Sequence, residues 1–267
     1  MQVNKDEILF AQSHKAIVGM LISLFLFGGC TTDKDVMPKF YQKTADKKAP
    51  DFTQKDIHTK DGHVIKFEGT YVRSYKNGKK DGITALYQHG VLYAEKSYKN
   101  DVLHGLSGNY HSSLSEVYYV DGKKHGTEKV WCDGNRKKLK SRMQYNHGLL
   151  EGKSEKWNCH GRHYLVQYIE YKNGKKDGIY KMYDNYNFKN GKLVGVETYK
   201  NGKKNGISKQ YHSNGKLCCL DTYKNGIMEG ESKFWDHTGK LGKDLIYKNG
   251  RAFDKNGNFI SAVKEKQ

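Results

Sequence analysis

Proline is almost missing from this chain: of 267 residues only Pro38 and Pro50 are proline, so nothing after residue 50 interrupts a ladder of backbone hydrogen bonds. Apolar residues are scarce as well, at 36%, with 28% of residues charged and a mean hydropathy of -0.88. A large closed hydrophobic core is excluded, and whatever core forms must be thin. The region beyond residue 65 shows no sustained helical period of apolar residues. No nucleophile elbow, His-Glu-x-x-His, phosphate loop or dinucleotide fingerprint is present, so neither catalytic residues nor a cofactor is expected. Acidic residues are outnumbered 29 to 47 by lysine and arginine, which leaves a net charge of +18.

What the chain has is a repeat. Tyr75 and Tyr87, Tyr98 and Tyr110, Tyr119 and Trp131, Tyr145 and Trp157, Tyr171 and Tyr183, Tyr199 and Tyr211, Tyr223 and Trp235, and Tyr247 and Phe259 are all twelve residues apart. Between them glycine recurs at the third position, where Asp101 departs, and at the seventh, where Asp254 departs. The unit reads Tyr-x2-Gly-x3-Gly-x4-aromatic. Starting tyrosines follow one another at 23, 21, 26, 26, 28, 24 and 24 residues, so all length variation falls after the second aromatic. The longest copy carries four extra residues before Gly191, an insertion of the kind a surface turn accepts. A repeat of this kind sets the architecture before any motif does.

Asn-Gly within Lys-Asn-Gly, at Asn77, Asn173, Asn201, Asn225 and Asn249, predicts two-residue type I′ hairpin turns, because both residues enter positive φ readily. Antiparallel counting then pairs each starting tyrosine with the residue five positions on. It also places the ring diagonal to the second glycine, which it would cover. Strict alternation puts the two aromatics on opposite faces unless a bulge at that glycine resets them, and both arrangements remain open. The expected fold is all-β: an elongated single-layer antiparallel meander of about eight hairpins, stabilised between neighbours by stacked rings. Tyr75, Gly82, Tyr87, Gly178, Tyr183, Gly206, Tyr211, Gly230 and Trp235 are its structural repeat residues, and the last unit, lacking its second half, is expected to act as a cap.

Tyr-Lys-Asn-Gly-Lys-Lys-Asp-Gly at residues 75 to 82, followed by an aromatic and by Asn-Gly-Lys-Leu at 190 to 193 and 214 to 217, resembles the bacterial variant of the MORN repeat. The whole array is similar to the proteins grouped as YwqK-family antitoxins, over about residues 67 to 259. The resemblance implies an extended β-meander with exposed turns along both edges. Its implication for activity is weaker, since the antitoxin label is largely one of association.

Residues 16 to 29 form an apolar run of signal-peptide length, too short for a firm membrane span. Leu26-Phe27-Gly28-Gly29-Cys30 resembles a bacterial lipobox, which implies acylation (palmitate among the lipids) of Cys30. The alternative is an uncleaved anchor helix. Thr31 after the cysteine favours the outer membrane if the cell is Gram-negative. The domain reading is therefore signal peptide 1–29, lipidated cysteine and tether 30–64, repeat array 65–259 and tail 260–267. A flexible tether of this length reaches roughly 30 Å.

Cys132, Cys159, Cys218 and Cys219 remain, an even number that permits disulfides in an exported protein. Cys132 and Cys159 follow the second aromatics of adjacent units. Equivalent turns stand roughly 9 to 10 Å apart, too far for a bridge unless the loops lean together. Cys218 and Cys219, adjacent on a strand, are expected to point to opposite faces as separate buried thiols. The twelve histidines are dispersed. Cys159, His160 and His163 share one loop but lack a fourth ligand, so no metal site is expected. Glu229 and Glu231 read as surface groups.

Lys79 and Lys80, Lys123 and Lys124, Lys175 and Lys176, and Lys203 and Lys204 each follow a first-turn glycine and should line one edge as a partly screened positive stripe. Such lysines also keep an exposed β-array soluble and discourage edge pairing. Nucleic acid, the usual target of a basic chain, is not expected for an exported lipoprotein. Two functions follow as expectations. One is a non-enzymatic protein-binding scaffold, antitoxin- or immunity-like, with the bacterial membrane and an unidentified protein as partners and Asn135–Arg142, Arg162–Gln167 and Asp184–Lys189 as specificity stretches. The other is a structural protein apposed to anionic lipid through its lysine edge.

Overall fold

The computed structural model describes residues 50–53, 55–111, 114–184 and 191–262. Cys30, the leader, most of the tether and most of the loop from Asp184 to Lys189 lie outside them. Every regular element described is a β-strand, and the chain falls into two units, residues 1–111 and 112–267.

In the first unit β1 (Ile57–His58), β2 (His63–Glu68), β3 (Tyr71–Lys76), β4 (Lys79–Gln88), β5 (Val91–Lys99) and β6 (Val102–Asn109) pair in chain order, each antiparallel to the last. The second unit continues the same way through β7 (Ser115–Val120), β8 (Lys123–Trp131), β9 (Leu139–Asn146), β10 (Leu149–Trp157), β11 (Leu165–Lys172), β12 (Lys175–Tyr183), β13 (Leu193–Lys200), β14 (Lys203–Tyr211), β15 (Leu217–Lys224), β16 (Ile227–Trp235), β17 (Leu241–Lys248), β18 (Arg251–Phe253) and β19 (Phe259–Ala262). The expected all-β meander is the observed fold. The described strands begin at Ile57 and end at Ala262.

The turns are the ones Asn-Gly requires. Asn173 and Gly174 have φ of 50° and 76°, and Asn100 with Asp101 manages 49° and 69° without a glycine. Each starting tyrosine pairs with the residue five positions on: Tyr75 with Lys80, Tyr171 with Lys176, Tyr223 with Met228. The second glycine departs from simple counting. Arg73 faces Thr84 while Tyr75 faces Lys80, so Asp81, Gly82 and Ile83 oppose Ser74 alone. This bulge inserts two residues, an even number, and therefore leaves the alternation of faces unchanged. Consequently the two aromatic sets lie on opposite faces. Tyr87 packs against the small core of Ile65, Val72, Ala85 and Leu92, whereas Tyr75 faces Val64 across the ladder, on the side away from Ile65.

The glycine is not covered by its own unit's ring. Gly82 sits directly opposite the next starting tyrosine, Tyr98, and Gly178 opposite Tyr199. At Gly105, Gly152, Gly178, Gly206 and Gly230 the space beside it is filled by the residue preceding the tyrosine of its own unit, whereas Gly126 has open space there. A Cβ on Gly206 would lie 2.8 Å from Thr198 Oγ1, which is itself held by donating to the Ile207 carbonyl at 2.8 Å. Glu170 at the corresponding position accepts the Ile179 amide at 2.8 Å beside Gly178, whose φ is 114°. Only glycine fits both the backbone and the space.

The second aromatic pairs with a leucine across a one-residue bulge: Tyr87 with Leu92, Trp131 with Leu139, Tyr183 with Leu193, Tyr211 with Leu217, Trp235 with Leu241. This rung also corrects the eighth aromatic pair. Phe253 faces Phe259, and Asp254 to Asn258 close the same loop as Asp236 to Lys240. Phe253 thus takes the place of Trp235, and Phe259 that of a leucine. The β17–β18 hairpin carries no bulge, so Asp254 is a loop residue and not a substituted glycine.

Candidate functional site

The lysine pairs divide in two. Their first members, Lys79, Lys123, Lys175 and Lys203, are exposed; their second members, Lys80, Lys124, Lys176 and Lys204, are half-buried. Alternation sends neighbours to opposite sides, and the second lysine lands on the face that carries the starting tyrosines. Lys80 Nζ lies 5.3 Å from the centre of the Tyr98 ring. In the second unit Lys124 lies 5.0 Å from Tyr145, Lys176 4.8 Å from Tyr199, and Lys204 5.1 Å from Tyr223. These are cation–π contacts worth about 0.5 to 2 kcal/mol each. Carboxylates complete them. Lys204 Nζ donates to Glu197 Oε1 at 2.6 Å, and Tyr199 donates its hydroxyl to Glu197 Oε2 at 2.6 Å. Lys124 and Tyr145 share Glu128 likewise, at 2.6 and 3.1 Å.

Burial works against the Glu197 carboxylate, but hydrogen bonds from Lys204 and Tyr199 and the charges of Lys204 and Lys176 outweigh it and hold the carboxyl below its usual value. Desolvation, and then the bond to Glu197, push the Tyr199 phenol far up. Half of the expected lysine stripe is therefore internal scaffolding. The sequence spacing placed all eight lysines at one edge but could not separate them, because the separation depends on the ring of the following unit.

The first lysines pack differently. From Gly148 onward each turn glycine donates its amide to the previous repeat, Gly202 to Lys176 O at 2.8 Å and Gly226 to Lys204 O at 2.8 Å, so these turns are stacked. The side chain after one turn glycine then lies over the next: Lys123 Cβ stands 3.6 Å from where a Gly148 Cβ would be, and Lys203 Cβ 3.8 Å from that of Gly226. Leu149, 52% exposed, and Ile227, 48% exposed, hold the same position. The outer row of the second unit thus reads Lys123, Leu149, Lys175, Lys203, Ile227 and Arg251.

Sequence reasoning missed a third row. The residue before the second glycine accepts the amide of the next unit's turn asparagine: Glu151 from Asn173 at 2.7 Å, Asp177 from Asn201 at 2.9 Å, Asn205 from Asn225 at 3.1 Å, Glu229 from Asn249 at 2.6 Å. Glu229 is therefore a structural acceptor and not a plain surface charge, whereas Glu231 pairs with Lys233 at the surface. The signal was present, since this position is acid, amide or histidine in each complete unit. In the first unit Asp81 accepts from Asn100 at 3.2 Å and also meets the buried His63 ring, whose other nitrogen lies 2.9 Å from Asp61.

Cys132 and Cys159 form a disulfide, with Cα atoms 5.3 Å apart. The distance argument against it fails because the loops after Trp131 and Trp157 are long. Cys132 N bonds Lys138 O and Asn158 N bonds Tyr164 O, closing longer loops than the one His212 N closes on Lys216 O, and between these two loops the cysteines meet. With Cys159 bonded, it is no third ligand beside His160 and His163; a His163 ring nitrogen instead lies 2.6 Å from Leu139 O. Cys218 and Cys219 do not point apart: their sulfurs are 3.0 Å from each other.

The variable stretches prove partly structural. Leu139 to Arg142 belong to β9, Leu165 to Gln167 to β11, and Arg136 pairs with the buried Glu116 at 2.8 Å. Asn135, Lys137, His160, Gly161 and Arg162 remain exposed at these loops.

No family model matches the chain, and no curated protein does. Among solved structures it shows a likeness to the crystal structure of BamB from Moraxella catarrhalis, at 10% identity, over 76% of this chain and 97% of that one. The TM-score is 0.13, which carries no argument about fold or function.

Proposed function

We propose that the chain is a non-enzymatic lipoprotein of the bacterial cell envelope, anchored through acylated Cys30, whose MORN-type array is a protein-binding scaffold of antitoxin- or immunity-like kind. The observation that carries this reading is the division of the repeat. Its tyrosines, second lysines and position-six acceptors are engaged inside the array, while the first lysines and the loops after the second aromatics are exposed. A bridge between Cys132 and Cys159 suits an oxidising compartment, in keeping with export. Crosslinking in the native cell tests the reading. A partner captured by the parent chain and lost when Lys79, Lys123, Lys175 and Lys203 are changed to glutamate supports it; unchanged capture by that variant removes the lysine edge from the binding surface. Labelling with a palmitate analogue should mark the parent chain and not Cys30→Ser.

The mixed basic and apolar row from Lys123 to Arg251 favours a second reading, apposition to anionic lipid head groups, since lysines and aliphatic side chains together suit a bilayer interface. Flotation of the non-lipidated array with anionic but not neutral vesicles, abolished by salt, would favour it over the first.

A further inference from the structure

In β15, Gln210 faces Cys219 while Tyr211 faces Leu217, so Cys218 is the extra residue of the bulge that follows each second aromatic. A bulge interrupts the alternation of side chains. That is why two adjacent thiols, which a regular strand would send to opposite faces, bring their sulfurs to 3.0 Å. Both residues are free cysteines, half-buried and so open in part to solvent. Neighbouring Cα atoms are about 3.8 Å apart, below the roughly 4.4 to 6.8 Å that ordinary disulfides span. A direct bond between them would be strained. One atom set between the two sulfurs closes a larger ring and relieves that strain.

We propose that Cys218 and Cys219 form a two-sulfur binding site for a trivalent thiophilic metalloid, of which a trivalent arsenical is the representative. Sulfur ligands select soft centres. Among the described residues no group of three or more His, Cys, Asp or Glu is placed to hold a metal ion, so the four ligands of structural zinc are not assembled here. Desolvation, then the hydrogen bond with Cys218, push the Cys219 thiol up to about 12. A divalent cation would have to expel that proton, whereas a metalloid oxide condenses with neutral thiols. For an arsenical R–As=O, two As–S bonds form and the As=O bond breaks. Both thiol protons leave with the oxygen as one water, and arsenic stays trivalent.

The test is intact-mass spectrometry of the folded, oxidised full chain after treatment with phenylarsine oxide. The expected result is one adduct per chain, removed by a dithiol but not by the same concentration of a monothiol. It should be absent in both Cys218→Ser and Cys219→Ser and retained in the Cys132→Ser/Cys159→Ser double variant, with circular dichroism confirming that each variant keeps its strands. Three results overturn the proposal: no adduct on the folded parent, an adduct that survives Cys218→Ser, or a parent chain lighter by the two hydrogens of a closed Cys218–Cys219 bond.

Discussion

Lys203 and Lys204 are neighbours of the same type with different work. Lys204 reaches the Tyr223 ring and the buried Glu197 carboxylate; Lys203 is exposed over the next turn. Lys204→Met should therefore lower stability by about 2 kcal/mol, because it strands a buried charged acceptor. Lys203→Ala should stay within about 0.5 kcal/mol, as surface changes do. Urea midpoints of the two variants measure the contrast. The Glu197 carboxyl also sets an acid limit. Burial opposes its charge, but its partners hold it below its ordinary value of 4.5, so its stabilising effect is complete above that value and is lost as pH falls through the depressed one. Denaturation midpoints should drop below about pH 4.5, and Glu197→Gln should flatten that drop. At Gly178 the positive φ decides: Gly178→Ala should cost about 1 to 3 kcal/mol, read from the same midpoints.

At the scale of elements, the hairpins were legible because their determinants are local. Asn-Gly dictates the turn and the tyrosine spacing dictates the register, and both needed only neighbouring residues. The bulge was legible as an open alternative, since a glycine at a fixed position signals it without giving the number of inserted residues. The disulfide was not legible, because it depends on two loops meeting 27 residues apart. Closing a loop of this size contributes about 3.5 kcal/mol in the chain-entropy model. Reductant should lower the thermal midpoint of the parent and leave the Cys132→Ser/Cys159→Ser variant unmoved; an equal shift in both would assign the effect elsewhere. The last hairpin was misread for a related reason. Twelve-residue spacing from Tyr247 lands on Phe259, but only the pairing of Phe253 with Phe259 shows that six residues of the usual unit are missing there.

At the scale of the whole molecule, a net charge of +18 made an acidic partner or surface the natural expectation, and the expectation counted every lysine pair as available. Pairing with rings and carboxylates withdraws one lysine of each pair from that surface. The sequence by itself determined the all-β class, the hairpin period, the turn type and the tyrosine register, because each follows from backbone preferences over a few residues. Only the tertiary structure decided which face each ring occupies, which lysines are exposed, and that Cys132 meets Cys159 while Cys218 meets Cys219. Those outcomes depend on bulge size and on contacts between successive hairpins, where a shift of one residue exchanges the inner and outer faces of a strand.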